Sequence, residues 1–126
     1  MPALNFKPQF VPFILDGRKT HTIRATRKYP VKQGDTLYLY TGLRHKGAKL
    51  LMEVPCVRVE EIRITRSLYR GIASFHIYIG GQMLAPDEKE SLAVRDGFSD
   101  FAEMMNFWDG RLPFHGQIIH WKKSAK

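Results

Sequence analysis

The segment Gly17-Arg18-Lys19-Thr20-His21-Thr22-Ile23-Arg24 packs an amine, hydroxyls and guanidinium groups into eight consecutive residues. In a strand, Thr20, Thr22 and Arg24 share one face, while His21 and Ile23 share the other. Lys19 precedes that strand at a corner, where its side chain can enter a cleft. Thr22 and Arg24 then line one surface close to Lys19. The patch offers a hydroxyl, an amine and a planar fork of donors. A threonine hydroxyl is a poor nucleophile until a base removes its proton. Lys19 can be that base if burial and the Arg24 charge depress its pKa. Each residue also has a plainer use. Lys19 can be a solvated corner lysine, Thr22 a strand former, Arg24 an ion-pair partner of Asp96 or Asp35, and Asp96 a helix-ending carboxylate.

The elements that must hold this segment are readable. Leu4-Asn5-Phe6 predicts a first strand ending at Lys7-Pro8. Residues 8–16 predict a short helix, because Phe10, Phe13 and Ile14 fall on one face. Gly17 suits the left-handed position that ends it. Residues 20–25 alternate and are β-branched, so they predict a strand. A Gly34-Asp35 turn leads into a strand at 36–41. Residues 50–65 read as strand, with Pro55 as an interruption and Glu60-Glu61 as a bulge or bend. Residues 66–74 are ambiguous, and 75–79 form a strand closed by Gly80-Gly81.

Asp87 and Glu90 suggest a capping box for a helix reaching Arg95. Asp96-Gly97 breaks it, and Ser99 can cap a second helix. There Phe101, Met104, Met105 and Trp108 form one apolar stripe, better read as core than as a stacking platform. Gln117 to Lys122 is a final strand, followed by a short basic tail. Five to seven strands with two or three short helices predict an α+β domain, a small, mixed, partly open β-barrel.

The chain has 126 residues, 44% of them hydrophobic, which fits a single domain with its own core at about 4–122. One cysteine, Cys56, excludes an intrachain disulfide and fits a reducing cytoplasm. No signal peptide is visible, and no apolar run approaches the roughly 18 residues of a membrane span. The net charge is +8. Residues 1–49 carry ten Lys or Arg against two acids, and the rest of the chain is balanced. A concentrated positive field draws polyanions, so nucleic acid or a nucleotide-like ligand is the expected partner. The alternative is a basic surface serving solubility.

The segment at 17–24 resembles the Gly-x-Lys-x-x-x-x-Arg signature of the ASCH domain family, a relative of the PUA RNA-binding fold. The leading strand and short helix before it resemble that family too. So do the Gly34-Asp35 turn, the strand Thr36-Leu37-Tyr38-Leu39-Tyr40, and the late Asp96-Gly97-Phe98-Ser99. The resemblance runs from about residue 4 to 121 and is weakest at 65–90. Within the family, bacterial N4-acetylcytidine amidohydrolases share Gly-Arg-Lys-Thr-x-Thr-Ile-Arg, with His21 at the variable position here. That implies a PUA-like barrel and a threonine–lysine–carboxylate site hydrolysing an amide. Lys19 and Thr22 map directly. Asp96 stands where those enzymes carry a glutamate. Thr22 would attack the acetyl carbon, Lys19 would take the proton, and Asp96 would orient Lys19 or protonate the leaving amine. Backbone N–H groups after Gly17 would hold the oxyanion.

Arg24, Lys7, Tyr40 and Phe98 complete the site as substrate-binding candidates. Tyr40 can stack on a base, and Phe98 borders the carboxylate. No cofactor is implied. The five histidines show no metal-ligand spacing. Two rival readings stand beside the hydrolase: a non-catalytic RNA-binding module, and an ASCH-type ribonuclease acting on single-stranded RNA. The oligomeric state is not legible.

Overall fold

The computed structural model describes residues 2–43 and 46–121. The chain runs β1 (Ala3–Phe6), a 3-10 turn (Pro8–Phe10), α1 (Val11–Leu15), β2 (His21–Ala25), β3 (Thr36–Thr41) and β4 (Lys49–Tyr69). It continues through β5 (Ile72–Ile79), β6 (Gln82–Met83), α2 (Pro86–Arg95), α3 (Phe101–Trp108) and β7 (Phe114–Trp121). The described residues form a mixed α+β architecture of seven strands and three short helices. The β1–β3 pair is parallel, and all other pairs are antiparallel.

The sheet does not close into the expected barrel. Pairing runs β1-β3-β4-β5-β6, with β7 joining β4 to β2. Strands β1, β2 and β6 each pair with a single neighbour, so three edges stay open among the described residues. No helix among the described residues is long and apolar enough to cross a membrane.

Strand β4 is the backbone of the sheet. It extends through Pro55, where the sequence suggests an interruption. Cys56 donates its N–H to Asp35 O at 2.7 Å and accepts from Gly34 N at 2.8 Å. Strand residues alternate the edge they bond to, so the missing N–H of Pro55 points away from that partner. The extra residue sits between Cys56 and Arg58 rather than at Glu60-Glu61, which pair in register with Ile118 and Gln117. Residues 66–74 resolve into the end of β4, a tight turn and the start of β5. Arg70 at φ 52° and Gly71 at φ 79° form the turn, both in the left-handed region that two-residue hairpins favour.

The core lies between the sheet and the helices. Leu4, Leu37, Leu39, Ile62, Ile64, Ile77 and Ile118 from the strands meet Ile14, Leu92 and Met104 from the helices, all fully buried. Met104, Met105 and Trp108 are buried, as the stripe predicts, and Cys56 is a buried free thiol.

The helix caps differ from expectation. Glu88 accepts the Ala85 N–H at 2.8 Å and caps α2, so the Asp87–Glu90 box does not form. Glu90 instead accepts the Phe101 N–H at 3.0 Å and ties α2 to α3. Asp100, rather than Ser99, caps α3 by accepting the Glu103 N–H at 2.8 Å. Between the helices Gly97 adopts φ 103°, and a Cβ there would lie 2.8 Å from the Phe10 ring. Only glycine fits this turn without strain, and the turn presents Asp96.

Candidate active site

The corner before β2 is built by backbone bonds. Gly17, at φ 84°, donates to Ile14 O at 3.3 Å, and Lys19 N–H donates to Phe13 O at 2.9 Å. Arg18 N–H donates to Asp16 Oδ1 at 2.9 Å. The N–H groups of residues 17–19 are therefore already engaged. They cannot form the oxyanion hole that the sequence suggests, because the same bonds make the corner.

That corner drives Lys19 inward. Among the described residues, the buried polar or charged side chains are Lys19, His21, Thr22 and Asp96, all at one place. Lys19 Nζ lies 2.5 Å from Asp96 Oδ1 and donates to Asp96 O at 2.7 Å. His21 Nε2 sits 3.1 Å from the same carboxylate oxygen, in reach of its charge but without the alignment of a hydrogen bond. Arg24 Nε donates to Thr22 Oγ1 at 3.1 Å, and another guanidinium nitrogen donates to Asn5 O. Arg24 thus braces Thr22 against β1.

The electrostatics follow from burial. Burial pushes the Lys19 ammonium below the usual lysine range; Asp96 pulls the other way, and Arg24 adds to the push. Burial alone would raise the Asp96 carboxyl, but Lys19 and His21 outweigh it and hold it below the usual carboxylate range. Arg24 is pushed down to about 10 by burial and by Arg27, and so stays charged at neutral pH.

A cavity of about 310 Å³ opens above these groups. Lys19, Thr22, Ile23, Arg24 and Asp96 line it together with Lys7 and Phe98. Its aromatic walls are Phe6, Phe10, Phe98, Phe107 and Trp108. Phe98 meets Phe10 edge-on at 5.7 Å and lies tilted against Phe107 at 5.6 Å. Lys7 lies 5.0 Å from the Phe107 ring centre, and Arg111 lies 4.5 Å from it. An apolar slot with a few convergent polar groups is the usual form of a small-molecule site.

Six of the seven site residues read from sequence meet here: Lys7, Lys19, Thr22, Arg24, Asp96 and Phe98. Tyr40 is not among the lining residues. It alternates along β3 with Leu37 and Leu39, which face the core, so it belongs to the other side of the sheet. Sequence reading passed over Asn5, Phe6, Phe10, Phe107 and Arg111 as lining residues, put Ile23 on the opposite face, and preferred core to a stacking platform for Trp108. It also left His21 without a role. The signal for His21 was its position between Lys19 and Thr22; what hid it was strand alternation, which assigns it to the opposite face. Among the described residues no group of three or more His, Cys, Asp or Glu side chains could hold a metal ion.

A scan against protein-family models, a search of curated proteins and a search of solved structures each returned no match for this chain.

Proposed function

We propose that this chain is an ASCH-type amidohydrolase that removes the acyl group from N4-acetylcytidine-like nucleosides. The observation that carries this reading is the Lys19–Asp96 contact of 2.5 Å at a cavity that Thr22 and Arg24 also line. It supplies the threonine–lysine–carboxylate set that the sequence resemblance implies. The aromatic walls suit a planar base, and a cavity of about 310 Å³ is at the small end of ligand sites.

In this mechanism a proton first moves from the Lys19 ammonium to Asp96, which removes both buried charges. The free amine then takes the Thr22 proton as Oγ1 bonds to the acetyl carbon and the carbonyl electrons move to oxygen. Arg24, 3.1 Å from Oγ1, favours the anionic form of the hydroxyl. With the corner N–H groups spent, the oxyanion falls to cationic side chains of the lining, among them Arg24, Lys7 and Arg111. Collapse breaks the C–N4 bond, and the leaving cytosine amine takes a proton from Lys19. Water then hydrolyses the acyl-threonine ester, releasing acetate and restoring Thr22. A cytoplasmic setting accompanies this reading, with Cys56 unpaired.

The second reading is an RNA-binding module without catalysis. A separate hollow lined by Arg27, Lys28, Tyr29 and Lys32 favours it. One assay separates the two: N4-acetylcytidine and single-stranded RNA offered to wild type and Thr22→Val. Release of cytidine by wild type and none by the variant supports the hydrolase. RNA retention with a steep salt dependence and no cytidine from either protein sinks it.

A further inference from the structure

Behind the cavity, a file of ionisable side chains leads away from the buried ion pair. Asp96 Oδ1, which touches Lys19, lies 3.1 Å from His21 Nε2. His21 and His120 are cross-strand partners on β2 and β7, with ring centroids 5.7 Å apart and planes tilted by 45°. His120 Nε2 lies 2.9 Å from Glu60 Oε1 on β4, and Arg58 approaches the same oxygen at 3.4 Å. His120 and Glu60 line a second hollow, where Asp87, Glu88 and Arg95 of α2 face them. The file begins at a lysine side chain 4% exposed and ends at a glutamate side chain 30% exposed.

Packing does not ask for this arrangement. Cross-strand positions beneath a helix are normally apolar, and desolvating two adjacent imidazoles costs free energy that aliphatic neighbours would not. His21 Nε2 is buried, and the polar atom within its reach is Asp96 Oδ1, which a small turn of the ring would bring into line. Imidazole is also the side chain best able to take a proton on one ring nitrogen and release another from the second.

We propose that Asp96, His21, His120 and Glu60 form a proton relay connecting Lys19 to solvent at the second hollow. Its purpose, though not its existence, rests on the hydrolase reading: the Lys19 side chain is already almost fully buried, and a base seated in the cavity covers the little that is open. Lys19 passes a proton to Asp96, Asp96 to His21, His21 to His120, His120 to Glu60, and Glu60 to water. Each intermediate carrier recovers its starting charge, and the net change is one proton moved from Lys19 to solvent. Two imidazoles in direct N–H···N contact have centroids about 5 Å apart, so a ring movement under about 1 Å closes the gap.

The test is hydrogen exchange of the Lys19 ammonium, followed by nitrogen-15 NMR in wild type, His120→Gln and Glu60→Gln. Exchange slowed tenfold or more in both variants is the expected result. Damage to packing would speed exchange, so the sign separates a broken relay from a loosened fold. Should one variant not fold, the other decides. Exchange at the wild-type rate or faster in the folded variants overturns the relay. The same proteins are assayed on N4-acetylcytidine, where kcat should fall tenfold with KM unchanged. If wild type releases no cytidine, the hydrolase reading fails, and the exchange rates alone still decide the relay.

Discussion

The Lys19 ammonium holds Asp96 twice, at the side-chain oxygen Oδ1 and at the main-chain carbonyl. A lysine from the β2 corner is thereby fixed to the turn between α2 and α3, 77 positions along the chain. The contact fixes the amine at the cavity and joins two distant parts of the chain at once.

Removing one partner of this pair should therefore cost more than removing both. Lys19→Met leaves a buried carboxylate unpaired and should destabilise the protein by about 3–5 kcal/mol. The double variant Lys19→Met/Asp96→Leu should recover most of that loss. Urea unfolding of the three proteins checks it, and a double variant as weak as the single one would refute it. Neither variant should release cytidine.

Thr22→Val keeps the β-branched shape that the strand needs and removes only the hydroxyl. Deacylation should fall about a thousandfold or more. Stability should change by about 1 kcal/mol, the usual worth of one hydrogen bond. Thr22→Ser should retain measurable turnover. Rates and thermal midpoints measured together distinguish lost chemistry from lost fold.

Stability should fall in two steps as the pH drops. Burial lowers the His120 pKa, with His21 and Arg58 adding to the effect against Glu60. A histidine depressed in the folded state takes up its proton first in the unfolded chain. Its contribution is complete above about 6.5 and is lost as pH falls from there toward the folded-state value. The Asp96 pKa is also depressed in the folded state. Its contribution is complete above about 3.9 and is lost as pH falls through the lower folded value. Urea midpoints across pH 3–8 should show both declines, with His120→Gln lacking the upper one and Asp96→Asn the lower.

Gly116→Ala should break the site from behind. A Cβ at Gly116 would lie 2.2 Å from the Arg24 carbonyl oxygen, a backbone atom that cannot step aside. Strand β2 would have to separate from β7, at a cost of about 3 kcal/mol or more. A thermal midpoint equal to wild type would show that the two strands are not locked together there.

Lys28→Glu/Lys32→Glu addresses the RNA reading. If RNA binds the hollow lined by Arg27, Lys28, Tyr29 and Lys32, affinity should drop and the salt slope should flatten by about two. On the hydrolase reading, release of cytidine from the free nucleoside should not change, because neither lysine lines the cavity at Lys19. A filter-binding titration at several salt concentrations reads the effect.

The site was legible where chemistry and local geometry agree. Gly17 ends a helix and Lys19 follows in a forced turn, so an inward lysine could be read from a few residues. Asp96 was legible only through resemblance, since no local rule links it to a lysine 77 positions away. His21 was missed because alternation predicts faces, not what a distant helix end brings against them. Pro55 looked like a break because the direction of a missing N–H cannot be known before its partner strand is. The turn at Arg70-Gly71 escaped notice because arginine is an unusual first residue for a left-handed pair. The barrel failed for a larger reason: closure depends on which edges meet, and short strands of similar pattern do not encode that.

Strand β2 carries Thr22 and Arg24 of the cavity lining, and its one ladder partner among the described residues is β7. During synthesis β2 therefore waits without its ladder partner until β7 has left the ribosome, while β1 can already pair with β3. A product stalled before β7 would carry Lys19 and Thr22 without the strand that holds them in place.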